Sequence, residues 1–76
     1  MPRLPRLNAK DMISVLQRAG FYIHHQKGSD MHLRHPHKSH IHVTVPYHTR
    51  FDLPPSVVKS ILKQSEIALA DFIKFL

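Results

Sequence analysis

The sequence predicts a small α+β domain with the order α-β-β-β-α(-α), in which a three-stranded antiparallel sheet carries its helices on one face. Three observations lead there. Apolar residues recur at helical spacing before Gly20 and again after Pro54-Pro55. Between them, three runs alternate apolar and polar residues in the manner of strands. Lys27-Gly28-Ser29 and Pro36-His37-Lys38-Ser39 are turn sequences that join these runs into a meander. Helices then roof the apolar face, and the polar face stays open.

Each element has a local reason. Pro2 and Pro5, with Arg3 and Arg6, make residues 1–7 an extended arm. Asn8 is placed to cap a helix over 9–19, with Asp11 in its first turn. Met12, Ile13, Val15, Leu16 and Ala19 form its apolar stripe, and Gly20 stops it. The first strand sets Phe21, Ile23 and His25 against Tyr22, His24 and Gln26. The second sets Met31, Leu33 and His35 against Asp30, His32 and Arg34, and the third Ile41, Val43 and Val45 against His40, His42 and Thr44. Pro46 ends the meander. On this reading the apolar face holds Phe21, Ile23, Met31, Leu33, Ile41, Val43 and Val45. Pro54-Pro55 opens a second helix with Val57, Val58, Ile61 and Leu62 inward. A last helix over 69–76 presents Leu69, Phe72, Ile73 and Leu76.

Seventy-six residues make one domain, 1–76, with a modest core. There is no cysteine, which fits a reducing compartment. No apolar run approaches the roughly 18 residues that span a bilayer. The opening residues lack the apolar stretch of a signal peptide, so a soluble cytoplasmic protein is expected. Eleven Lys and Arg against five Asp and Glu give a net charge of +6, and eight histidines add to it in mild acid. Such an excess favours a polyanion, nucleic acid first, through phosphate neutralisation and counterion release.

Five short motifs fall in one order: Leu16 through Gly20-Phe21, Gly28-Ser29, Arg34-His35-Pro36, Val43 through Val45-Pro46-Tyr47-His48, and Ile61-Leu62-Lys63-Gln64. In these the chain resembles the HicA family of toxin–antitoxin toxins, from about Asn8 to Leu76. The resemblance implies a ribosome-independent mRNA endonuclease of dsRBD-like fold, monomeric alone and hetero-oligomeric with a HicB-type antitoxin that masks its active site. It implies no cofactor. The family's catalytic histidine follows Gly-Ser, and here that position is Asp30. An aspartate ionised at pH 7 accepts a proton but has none to give. Metal-free RNA cleavage needs a base for the 2′-hydroxyl and an acid for the leaving 5′-oxygen. Three readings remain open: Asp30 as base with a neighbouring histidine as acid, a chain that has lost cutting and kept binding, and a substitution introduced to silence a toxin.

The candidate catalytic residues are therefore Asp30, His32 and His48. Asp30 and His32 share a strand face and are spaced to hydrogen-bond. Against this stands the plain reading of Asp30 as a turn residue, and of His48 as a side chain that fixes the strand exit. Lys27, Ser29, Arg34, Arg50, Lys59 and Lys63 are candidate phosphate contacts, and His24 a base contact, with His42, Tyr22 and Tyr47 as further stacking surfaces. Solvation explains many such charges equally well. His25, His35, His37 and His40 fall at strand ends, in turns or on the other parity and are assigned no chemistry. The His-x-His pairs lack the three or four ligands at diagnostic spacing of a zinc site, so no metal is expected.

Overall fold

The computed structural model describes residues 6–47 and 52–76. It contains α1 (Ala9–Arg18), β1 (Tyr22–Lys27), β2 (Asp30–His35), β3 (Lys38–Pro46), α2 (Pro55–Ser65) and α3 (Leu69–Lys74). The strands form one antiparallel sheet in the order β1-β2-β3. This is the expected α+β arrangement.

Asn8 caps α1 as anticipated, its side-chain oxygen accepting from the Asp11 N–H at 2.8 Å. At the other end the Gly20 N–H donates to the Gln17 carbonyl and the Phe21 N–H to the Leu16 carbonyl. That pair of bonds is a Schellman motif, and it needs the left-handed φ of +102° that Gly20 supplies. The β1–β2 hairpin has a two-residue loop with positive φ at Gly28 alone, the signature of a type II′ turn. Pro36 cannot enter a primed turn, because its ring fixes φ negative. A register shift between Arg34 and His35 reconciles that hairpin with the strand twist.

Leu33, Val43, Val45 and Ile41 on the sheet meet Met12, Val15 and Leu16 of α1, Val58 and Ile61 of α2, and Phe72 of α3 in one buried cluster. Leu33 and Val43 are 0% exposed, so the aliphatic side of the meander is the roofed one. Leu7, in the expected arm, is buried too, and its carbonyl accepts from the Leu53 N–H at 2.6 Å.

The structure corrects several details. Ile23, expected in the core, is 41% exposed: it stands on the edge strand β1, at an open cleft beside α1 rather than under it. Leu69, Ile73 and Leu76 are also exposed; α3 buries only Phe72. In α2, Val57 and Leu62 are half-buried, while Ser65 is buried through a bond from its hydroxyl to the Leu62 carbonyl. Among the described residues no helix is long and apolar enough to cross a membrane.

Candidate functional site

The face of the sheet away from the helices is built by the strand register. Tyr22 pairs with Arg34, and Arg34 with His42; His25 pairs with His32, and His32 with Thr44; Lys27 pairs with Asp30. Partners across antiparallel strands point to the same side, so all of these share one face.

β1 departs from simple alternation. Its register skips His24, so that a bulge sets His24 and His25 together opposite His32. One extra residue reverses the parity of everything after it. His25, assigned by alternation to the apolar side, therefore stands on the open face. Gln26, assigned to the open face, pairs with Met31 and lines the cleft beside Ile13 of α1.

The result is a row of four imidazoles running across all three strands. Nδ1 of His24 lies 2.8 Å from Nδ1 of His25. The rings of His25 and His32 stack at 4.4 Å between centroids with 12° between planes. Nδ1 of His32 lies 2.9 Å from Nε2 of His42 and 3.4 Å from the Thr44 hydroxyl. Each hydrogen-bonded pair needs one N–H and one lone pair, so it tolerates one added proton but not two. Burial among these rings pushes His25 below its ordinary value of 6.5, with the charges of His32, His24, His42 and Lys27 adding to the effect. Burial does the same to His42, helped by His32, Arg34 and His24. Both are set to be neutral near pH 7.

Of the other predicted site residues, Arg34 lies over the β2–β3 hairpin, its guanidinium donating to the Ser39 carbonyl at 2.8 Å. Lys27, Ser29 and Asp30 are exposed at the end of the sheet, and Lys59 and Lys63 are exposed on α2. The Ser29 carbonyl accepts from the Tyr47 N–H, which ties the β1–β2 turn to the exit of β3. The expected Asp30–His32 hydrogen bond is not formed among the described residues: His32 bonds to His42 and Thr44 instead. Asp30 sits at the strand end, between Lys27 and Pro46. His48 and Arg50 lie outside the described residues.

The remaining histidines hold structure. His35 meets Phe21 edge-on at 5.1 Å and accepts from the His37 N–H, while His40 bonds Glu66 at the end of α2 at 3.0 Å. Among the described residues no three His, Asp or Glu side chains converge where they could hold a metal ion. His25 is the group that alternation missed, and the paired His24-His25 dipeptide is the one trace it left in the sequence.

An uncovered face of imidazoles, one guanidinium and an exposed ammonium has the chemistry to receive phosphodiesters and to move protons among them. No curated protein matches the chain. A family model described as the HicA toxin of bacterial toxin-antitoxin matches residues 9–67, from the first turn of α1 past the end of α2. The chain thus belongs to the HicA toxin family of bacterial toxin–antitoxin systems, and a cognate antitoxin is its partner.

Proposed function

We propose that this toxin acts in the cytoplasm on mRNA, which it binds across the open face of the sheet and cuts as a metal-independent endoribonuclease until a HicB-type antitoxin covers that face. The observation that supports this best is the imidazole row from His24 to His42, flanked by Arg34 and Lys27 on the one side of the sheet that helices leave free. In the reaction the Asp30 carboxylate takes the 2′-hydroxyl proton as the 2′-oxygen attacks phosphorus. The bond from phosphorus to the 5′-oxygen breaks, and that oxygen takes a proton from the His32 imidazolium. The products are a 2′,3′-cyclic phosphate and a 5′-hydroxyl, and solvent resets both groups. His48 assists, by its place in the family pattern. Ser29, Lys59, Lys63 and Arg50 extend the phosphate contacts, and Tyr22 offers a ring for a base. The protein is monomeric alone and hetero-oligomeric with its antitoxin.

A second reading has one observation behind it. Asp30 stands where the family has histidine, and it does not bond His32. The alternative is a silenced nuclease that still binds RNA and docks its antitoxin. Incubating the chain with RNA in EDTA decides between them. Cutting by the chain as it stands, abolished by His32→Ala, supports the first reading. Cutting and cell toxicity only in Asp30→His support the second. RNA binding without cutting in either protein leaves a binding module and overturns the nuclease.

A further inference from the structure

His32 is the best-held imidazole of the row, with His42 at 2.9 Å, Thr44 at 3.4 Å and the ring of His25 against its face. A bond between two imidazoles has one donor. Once His32 carries a second proton both of its nitrogens are donors, and His42 has to accept through an unprotonated Nε2. The Thr44 hydroxyl imposes no such choice, because it donates and accepts equally well. His42 alone fixes which way the pair is polarised.

We infer that His42 is the positioning residue for proton donation by His32: it holds the His32 Nδ1–H and leaves the His32 Nε2–H aimed at a leaving 5′-oxygen. This rests on the nuclease reading above, in which His32 is the acid. The geometry suits it. His42 belongs to β3, whose aliphatic residues anchor it in the core, and its side chain is tied to a ring on the neighbouring strand. Among the described hydrogen bonds, none engages Nε2 of His32. The lowered proton affinity of His42 acts in the same direction, since a neutral ring is the one able to accept. The titratable and charged groups facing the pair are Tyr22, His24, His25 and Lys27 from β1, and Asp30 and Arg34 from β2; the helices pack on the opposite side. Partners that orient metal-bound imidazoles change activity by about 10- to 100-fold, and an effect of that order is expected for His42 acting on His32.

The test compares two substrates that differ in the leaving group. One is an RNA the chain cuts, whose 5′-alkoxide must be protonated. The other is uridine 3′-(4-nitrophenyl phosphate), whose phenolate departs without an acid. His42→Ala is expected to slow RNA cleavage by about 10- to 100-fold while leaving the nitrophenyl ester nearly unaffected. His42→Gln, whose side-chain oxygen can accept from His32 Nδ1–H, is expected to recover most of the loss. Equal losses on both substrates, or a Gln variant no better than Ala, would overturn the inference. A chain that cuts neither substrate sinks the nuclease reading instead. Nitrogen-15 NMR of the unsubstituted protein then judges the pair separately: a coupling from His32 Nδ1–H to His42 Nε2 in mild acid is expected, and its absence removes the pair.

Discussion

Gly20 has φ of +102°, and a Cβ built there would lie 2.9 Å from Nε2 of His35. An L-residue would be strained in that backbone conformation and would also displace a ring packed on Phe21. Gly20→Ala is expected to cost about 1–2 kcal/mol, read as a lower urea midpoint at constant slope. His25 and His42 make a second prediction. Both bind protons less readily in the folded chain than their ordinary value of 6.5 implies. Above that value they are neutral folded or unfolded and contribute nothing to pH dependence. As pH falls through it, the unfolded chain takes up protons that the folded chain resists, so stability drops on the acid side. The melting temperature should decline between roughly pH 7 and pH 5, less steeply in His25→Gln and His42→Gln. A flat profile in the unsubstituted protein would show that neither burial nor the neighbouring charges lower the proton affinity of the two rings.

The two edges of the sheet are treated differently. On β3 the Thr44 N–H donates to the Gln64 side chain of α2 at 3.2 Å, and Gln64 in turn donates to Ser60 at 3.1 Å. This covers an edge that would otherwise offer an open ladder. Gln64→Ala should cost about 1 kcal/mol and speed amide exchange at Thr44 more than at Leu33 in the centre of the sheet. Among the described residues no side chain bonds the free edge of β1 in this way. Its bulge bends the strand and gathers His24 and His25, so the irregularity that breaks the pairing also builds the imidazole row. α3 is held by Phe72 and by the Arg18 guanidinium, which donates to the Phe75 carbonyl at 2.7 Å.

The chain as a whole carries +6, and among the described residues its open face joins that charge to ionisable rings. If single-stranded RNA lies there, binding must weaken with salt, by a slope of about 0.7 per phosphate neutralised. Lys27→Ala and Arg34→Ala should each reduce the slope by about 0.7, measured by titration at several salt concentrations. Lys10→Ala, on α1 beside the cleft with Ile13 and Ser14, should leave it unchanged. Equal effects from all three would mean that net charge, rather than this face, attracts the RNA.

The order of elements was legible along the chain because each rests on neighbours in sequence. Asn8 and Gly20 bound α1, Gly28 turns the first hairpin, and Leu33, Ile41, Val43 and Val45 mark the buried side of the strands by alternation. The basic balance and the family motifs pointed in the same way to a polyanion. What stayed hidden was the register. Beyond the doubled His24-His25, nothing in Tyr22-Ile23-His24-His25-Gln26 announces that a residue is skipped, because a bulge is a compromise between strand twist and pairing with another strand. Nor did the spacing of Asp30 and His32 reveal that His32 would bond to His42, ten residues onward, since that partner arrives only when β3 folds back. Local sequence sets which backbone shapes are cheap and which faces are greasy. Which imidazoles meet is settled by contacts between strands, and those exist only after the sheet has closed on its core.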